Sequence, residues 1–195
     1  IGEVKVDFPS VIKRSRKVAS KMSGGIGFLF KKYKVQHVKG MGVIKSKNQV
    51  EVKDKDGKAI GQIEAKNIII ATGARPRMFD GIDVDYKNII TSKEALVLKE
   101  APKSMIIMGA GAIGVEFAYF YNAFGTEVTI VEMMDRILPV EDEDVSKELE
   151  RNFRKSKMKL LKSTKVLSAK AVKGGVEIKV QKKDGSEEVL KAEKA

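Results

Sequence analysis

The chain has 195 residues, enough for one large domain or for parts of two. It contains no cysteine and no apolar run near the ~18 residues of a membrane-spanning helix, so it offers no disulfide, no thiol chemistry and no membrane span. The formal net charge of +12 comes from lysines scattered along the chain without interleaved aromatic residues, which predicts a solvated basic surface rather than a nucleic-acid-binding one. We therefore expect a cytoplasmic protein with neither a nucleic-acid nor a membrane partner.

The first third of the chain predicts a long basic helix followed by a small antiparallel sheet. Apolar residues recur at helical spacing over residues 11–29, after a start signal in which Ser10 is the expected N-cap. His37, the only histidine, has no neighbouring cluster of ligand-type residues, so no metal site is predicted. Short strands separated by turns such as Asp56-Gly57 are predicted at residues 35–40, 42–46, 49–53 and 60–65.

A glycine-containing turn ends the next predicted strand. Residues 67–71 are apolar and run directly into Thr72-Gly73-Ala74, a turn at which the backbone could approach a ligand closely. The irregular residues after it are interpreted as a linker, which ends where Thr91 and Glu94 have the spacing of a capping box. That box predicts a short helix through Leu98.

The segment from Ser104 to Glu132 has the pattern of a nucleotide-binding βαβ unit. A buried strand at residues 104–108 is followed by a G-x-G-x-x-G at residues 109–114, a helix that ends at Gly125, and a second strand at residues 127–131. In such a unit the first glycine permits a tight turn, the second lets backbone N–H groups approach a pyrophosphate, and the third allows helix and strand to pack closely. The start of the helix adds partial positive charge and free N–H donors for the phosphates.

Glu132 indicates which nucleotide the site prefers. It lies about 20 residues after the glycines, where a carboxylate can accept hydrogen bonds from both hydroxyls of a ribose. The same carboxylate would repel a 2′-phosphate, and Met133 and Met134 follow where NADP-binding proteins usually carry arginine. Arg136 lies close enough to keep NADP as the alternative. The sequence favours NAD.

The last third of the chain completes an α/β pattern. Residues 142–155 predict a helix with acidic residues early and basic residues late, as the helix dipole favours. A third parallel strand is predicted at residues 159–161. Alternating strands at residues 166–172, 176–180 and 187–192, turned at Gly174-Gly175 and Asp184-Gly185, predict an antiparallel meander. The expected fold is therefore a Rossmann-like domain with a parallel sheet and a meander.

These motifs resemble the dihydrolipoamide dehydrogenase family of flavin disulfide oxidoreductases, and the resemblance covers essentially the whole chain. The segment SGGIGFLFKKYKVQHVKGMG favours the lipoamide enzymes over their relatives. Further carriers of the resemblance are KNIIIATGARP, ITSKEAL and GAGAIGVEFA followed by VTIVE. The ATG and GAGxIGxE motifs within them are shared more widely with glutathione, mercuric and related reductases.

Carried over position by position, the resemblance implies two cofactor sites, one for NAD and one for FAD. Glu116 matches a carboxylate near the nicotinamide and beside the flavin, and Val166 matches a residue on the adenine side of the NAD pocket. Ala112 stands where some relatives carry a gating tyrosine. The implied NAD residues are Gly109, Ala110, Gly111, Ala112, Ile113, Gly114, Val115, Glu116, Glu132 and Val166. The implied FAD residues are Gly42, Thr72, Gly73 and Ala74.

The same resemblance implies that the chain is a central fragment. The family's first FAD-binding glycine motif and its redox-active cysteine pair precede the region that this chain covers, and its catalytic histidine and glutamate and its dimer interface follow it. We expect a partial FAD-binding domain at 1–78, a linker at 79–94 and an NAD-binding domain without its final strand at 95–195.

The implied parent is a homodimer that oxidises dihydrolipoamide to lipoamide with NAD⁺ as acceptor, together with components of a 2-oxoacid dehydrogenase complex. The chain by itself is expected to be inactive. The alternatives are another flavin disulfide reductase, of the mercuric reductase or soluble transhydrogenase type, and a non-catalytic NAD-binding module.

Overall fold

A computed structural model of the chain describes residues 5–195. It confirms the α/β fold class, with one parallel sheet and two antiparallel sheets. The helices are α1 (Phe8–Lys32), α2 (Ser92–Ala95), α3 (Ala112–Ala123) and α4 (Glu143–Lys155). The strands are β1 (Met41–Ser46), β2 (Gln49–Lys53), β3 (Ala59–Glu64), β4 (Ser104–Met108), β5 (Glu127–Val131), β6 (Lys159–Leu161), β7 (Lys165–Val172), β8 (Gly175–Gln181) and β9 (Glu187–Ala192).

The described residues divide into two compact units, which separate the expected FAD residues from the expected NAD residues. One unit contains residues 16–75, and the other contains the described residues up to Ser15 together with Pro76–Ala195. The predicted domain boundaries at residues 78 and 95 remain predictions, and residues 1–4 of the first predicted domain lie outside the described residues.

The parallel sheet has the order β4-β5-β6, as the βαβ pattern predicts. Ser104 is paired with Glu127 and Thr129 with Lys159, so all three strands have their carboxyl ends at the same edge of the sheet. On the other side of β4, Lys194 forms a parallel bridge with Met105, and the Ile106 N–H donates to the Lys194 carbonyl at 3.0 Å. The start of β4 therefore has a neighbour on both sides.

Two layers cover the parallel sheet, because successive side chains of a strand point to opposite faces. Met105 and Ile130 belong to a buried cluster that includes residues of α3 and α4, whereas Ile106 and Val131 belong to a second cluster that contains the buried residues of β7 and β8. The meander is antiparallel in the order β7-β8-β9, as predicted. The sheet thus lies between helices and the meander.

In the unit of residues 16–75, three antiparallel strands form the sheet β1-β2-β3, which confirms three of the five strands predicted there. The strands predicted at residues 35–40 and 67–71 are wrong, since both segments are irregular. Ile69 and Ile70 are 90% and 72% exposed. A strand exists only through hydrogen bonds to a neighbouring strand, and within residues 5–195 no strand pairs with residues 67–71.

Two helix ends also differ from their sequence-based positions. The helix α1 begins at Phe8, because the carboxylate of Asp7 accepts hydrogen bonds from both the N–H and the hydroxyl of Ser10. Asp7 rather than Ser10 is therefore the capping residue. The capping box at Thr91 and Glu94 is confirmed, but α2 ends at Ala95 rather than continuing to Leu98.

An aromatic cluster packs α3 against the start of α1. The rings of Phe8 and Phe124 meet edge to face with centroids 5.3 Å apart, and Phe120 lies 4.9 Å from Phe124. Tyr121 is fully buried beside them, and its hydroxyl donates a hydrogen bond to the Ala95 carbonyl. Such pairs add about 1 kcal/mol beyond the burial of their area. The cluster holds α3, and with it the glycine loop that precedes α3, in a fixed position.

Burial raises the pKa of Tyr121 to about 12 from an ordinary value of 10.0. The folded state therefore keeps this proton at a pH where the unfolded chain loses it. The contribution of Tyr121 to the unfolding free energy is fully present below pH 10 and falls as the pH rises towards 12. We expect Tyr121→Phe to flatten the decline in unfolding free energy over that range, measured by denaturant titration. The control Tyr119→Phe changes an exposed side chain and should keep the full decline. Equal slopes in both variants would contradict the assignment.

Within residues 5–195, no helix combines the length and the apolar character that crossing a bilayer requires.

Candidate functional site

The three glycines of the loop between β4 and α3 have different structural roles. Gly109 has φ +106°, a conformation that other residues rarely adopt, and its N–H donates to the Val131 carbonyl at 2.8 Å. A Cβ at Gly114 would lie 2.1 Å from the Gly109 carbonyl oxygen, so this glycine is required by packing. A Cβ at Gly111 would meet no atom within 4 Å. Packing within residues 5–195 therefore does not require glycine at position 111.

The open side of Gly111 lies at the start of α3, where backbone donors are available. Gly111 is the N-cap residue with φ −71° and ψ 178°, and no side chain caps the helix. The first N–H groups of any helix lack partners within the helix, and they carry partial positive charge. A glycine that the protein's own packing does not require, next to uncapped donors, is the arrangement that a pyrophosphate needs. The residues present therefore fit the phosphates of a dinucleotide.

The predicted ribose acid, Glu132, lies directly beside this loop. It is 9% exposed, and its Oε2 accepts a hydrogen bond from the Ala110 N–H at 2.7 Å. Its Oε1 accepts a second one from the Met134 N–H at 2.8 Å. The carboxylate thus joins the glycine loop to the end of β5, and each oxygen keeps a second position at which it can accept a hydrogen bond.

The side chains after Glu132 are consistent with a preference for NAD. Met133 is 64% exposed and carries no charge. Arg136, the residue that kept NADP as an alternative, donates from Nη2 to the Pro139 carbonyl at 2.8 Å. Its guanidinium is engaged with the backbone of its own loop, whereas a 2′-phosphate is normally bound by arginines that point to the ribose.

A cleft of about 490 Å³ runs along β4 and the glycine loop. Its walls are mostly apolar, and it reaches from Thr91 and Ser92 at the start of α2 to Gly111 and Ala112 at the start of α3. Pockets of this size and character commonly hold small molecules and cofactors. The cleft includes five of the predicted NAD residues, namely Gly109, Gly111, Ala112, Ile113 and Gly114.

Three further predicted NAD residues, Glu116, Val166 and Val115, lie outside this cleft. Glu116 is exposed on the first turns of α3 and lines a separate cleft of about 280 Å³, opposite Val11 and Ser15 of α1. Val166, near the start of β7, packs on the cluster that contains Val131. Val115 is buried in the other cluster and faces the protein interior. Its role is packing of α3, and only its backbone is available to a ligand.

The predicted FAD residues all lie in the unit of residues 16–75. Gly42 is in β1 opposite Val52, and a Cβ there would make only an ordinary 3.4 Å contact with Val50. Gly73 has φ +79°, and it lies with Thr72 and Ala74 in an exposed irregular segment. Among the described residues, packing requires neither glycine, which leaves both backbones accessible to a ligand.

Sequence patterns gave no sign of two further residues of the site, Leu138 and Ser163. Both have positive φ, +48° and +49°, although neither is glycine. Their N–H groups donate to the carbonyls of Ala110 and Met134, each at 2.8 Å. No motif marks such positions, because the signal is a backbone conformation rather than a residue type.

The chain matches the family model described as pyridine nucleotide-disulphide oxidoreductase over residues 3–194. It is 49% identical over 155 residues to the dihydrolipoyl dehydrogenase of Chlorobaculum parvum, an alignment that covers 80% of this chain and 33% of that protein. It is 43% identical over 194 residues to the dihydrolipoyl dehydrogenase of Mycobacterium tuberculosis, covering 99% of this chain and 41% of that protein. The chain therefore spans well under half of the length of these curated relatives.

Solved structures agree with these sequence relatives. The crystal structure of LpdA from Mycobacterium tuberculosis superposes with a TM-score of 0.85 at 26% identity, over 100% of this chain and 42% of that one. The HOCl-induced flavoprotein disulfide reductase RclA from Escherichia coli, at 22% identity, has a TM-score of 0.80 over 97% of this chain and 42% of its own, and so shows the same fold. The resemblance inferred from the motifs is confirmed, and the chain belongs to the pyridine nucleotide-disulphide oxidoreductase family.

Proposed function

We propose that this chain forms the NAD site and part of the FAD site of a dihydrolipoamide dehydrogenase. The whole protein would oxidise dihydrolipoamide to lipoamide through a cysteine pair and FAD, with NAD⁺ as the final acceptor. The observation that carries the proposal is the open side of Gly111 at the uncapped start of α3, with Glu132 beside it. The identity of 43–49% to dihydrolipoyl dehydrogenases supports the choice of reaction.

The cofactors supply the redox chemistry, which is transfer of electrons from thiols through a flavin to a nicotinamide. The residues of this chain supply binding and orientation. The N–H groups at the start of α3 bind the two phosphates, and Glu132 accepts hydrogen bonds from the adenosine ribose. Glu116, exposed on the next turn of α3, is proposed to lie at the nicotinamide and to orient that ring. Gly42 and Gly73 are proposed to let the backbone approach FAD.

The partners and the location of the whole protein are part of the same proposal. We propose a cytoplasmic homodimer that works with components of a 2-oxoacid dehydrogenase complex, and the similarity to dihydrolipoyl dehydrogenases supports this proposal. Because this chain has no cysteine, it supplies no redox-active thiol, so it is proposed to have no lipoamide activity by itself.

The proposal is tested at two levels. The chain should quench or shift NADH fluorescence in a saturable titration, and NADPH should bind at least about tenfold more weakly because its 2′-phosphate meets the Glu132 carboxylate. The full-length parent should reduce NAD⁺ with dihydrolipoamide as donor. Faster turnover with Hg²⁺ or with NADPH and NAD⁺ together would favour a mercuric reductase or a transhydrogenase. Absence of any NADH binding would remove the NAD site.

A further inference from the structure

The carboxylate of Glu132 makes contacts that ribose binding does not require. Its two oxygens accept hydrogen bonds from the N–H groups of Ala110 and Met134, at 2.7 and 2.8 Å, and the side chain is almost completely buried. Ala110 is in the glycine loop and is itself fully buried. A charged acceptor forms stronger hydrogen bonds than a neutral one, so these two contacts restrain both backbones firmly.

The carbonyl groups of the same two residues accept hydrogen bonds from two residues whose backbone conformation is unfavourable. The Leu138 N–H donates to the Ala110 carbonyl, and the Ser163 N–H donates to the Met134 carbonyl, each at 2.8 Å. Both donors have positive φ, which non-glycine residues adopt only when the surrounding structure imposes it. Ala110 and Met134 are therefore each restrained twice, at the N–H by Glu132 and at the carbonyl by a residue with positive φ.

We propose that Glu132 is a positioning residue for the glycine loop as well as a ribose contact. Its carboxylate, together with the backbones of Leu138 and Ser163, sets the loop in its phosphate-binding geometry before a nucleotide arrives. The inference rests on the NAD site proposed above. Setting the loop in advance removes an ordering step from binding, so affinity for the phosphates depends on Glu132 even in a ligand that has no adenosine.

The loss of this carboxylate should release the loop in a defined way. Leucine at position 132 removes both acceptors, so the Ala110 N–H is left buried without a partner. Glutamine has a single acceptor oxygen and adds two donors, so it can serve only one of the two N–H groups. The two variants therefore make different predictions for the same two amides.

Amide hydrogen exchange of the full chain without nucleotide tests the restraint directly. Glu132→Leu should speed exchange at both Ala110 and Met134 by about tenfold or more, and Glu132→Gln should do so at only one of them. The control is Glu150→Gln, which changes another buried carboxylate, on α4, where Lys162 is its partner at 2.8 Å. It should leave exchange at Ala110 unchanged, and only this amide serves as the control readout because Lys162 directly precedes Ser163. Unchanged exchange in Glu132→Leu and Glu132→Gln would overturn the inference.

A second readout separates positioning from ribose binding and from stability alone. Reduced nicotinamide mononucleotide has a phosphate but no adenosine ribose, so a pure ribose contact would not affect its binding. We expect Glu132→Gln to weaken binding of this probe by about fivefold and also to weaken binding of NADH. The titrations are carried out well below the unfolding temperature of the variant. If NADH binding is weaker but mononucleotide binding is unchanged, Glu132 is a ribose contact only and the positioning role is wrong. If the unsubstituted chain binds neither probe, the proposed NAD site is wrong. Hydrogen exchange still shows whether Glu132 restrains the backbones of Ala110 and Met134.

Discussion

Replacement of Gly114 by alanine is expected to destabilise the chain by about 3 kcal/mol or more, because the new Cβ would lie 2.1 Å from the Gly109 carbonyl oxygen. The obstacle is backbone, which cannot move aside as a flexible side chain could. To relieve the clash, α3 would have to shift away from the glycine loop, and the Ile107 side chain at 3.4 Å limits that shift. Chemical denaturation of the purified variant measures the effect.

Gly111→Ala is the matched variant, since it adds the same methyl group three residues earlier. Its Cβ would meet no atom within 4 Å, and its φ of −71° suits any residue. We therefore expect its unfolding free energy to remain within about 0.5 kcal/mol of the parent value. NADH affinity should nevertheless fall by about tenfold or more, because the methyl group occupies the space that the pyrophosphate needs.

The pair separates two explanations for a glycine motif. If both glycines serve only the fold, both variants lose stability and NADH binding together. If Gly111 serves the ligand, it loses binding while it keeps stability. Normal NADH affinity in Gly111→Ala would therefore contradict the phosphate site, and full stability in Gly114→Ala would contradict the packing role assigned to that residue.

The βαβ unit could be predicted from the sequence because its determinants are local. The apolar run from Ser104 to Met108 and the glycines that follow it act on their immediate neighbours, and the structure forms the strands β4 and β5 and the helix α3 within one residue of the predicted bounds. The meander was equally predictable, since Gly174 and Gly185 adopt the positive φ that their turns require.

The errors arose where the structure depends on distant partners. The apolar residues 67–71 have the composition of a buried strand, but a strand forms only beside another, and none pairs with them in the described part of the chain. The second role of Glu132 was also invisible, because the residues it restrains are defined by backbone hydrogen bonds. Composition predicts which side chains prefer burial, whereas it does not predict which backbone groups meet.

The contacts of Glu132 imply that reversing the nucleotide preference by substitution at this residue also costs stability. Glu132→Arg removes the contact to the ribose, so it should weaken NADH binding. It also removes the repulsion of a 2′-phosphate, so the preference should shift towards NADPH. It also removes two charge-assisted hydrogen bonds and places a cation in a site that is 9% exposed. We therefore expect a loss of about 2–5 kcal/mol of stability, so absolute affinity for both nucleotides should be low.

Met133→Arg should shift the preference without this loss. Met133 is 64% exposed, directly after the ribose acid, so an arginine there can reach a 2′-phosphate while Glu132 keeps both of its backbone contacts. The ratio of NADPH to NADH affinity should rise about tenfold with unchanged stability, because a guanidinium pairs well with a phosphate.

Arg136→Ala is the control for this comparison, since its guanidinium donates to the Pro139 carbonyl. Titration of each variant with both nucleotides decides the matter. If Arg136→Ala changes the ratio and Met133→Arg does not, Arg136 rather than position 133 faces the ribose, and the preference for NAD must be assigned to Glu132 alone.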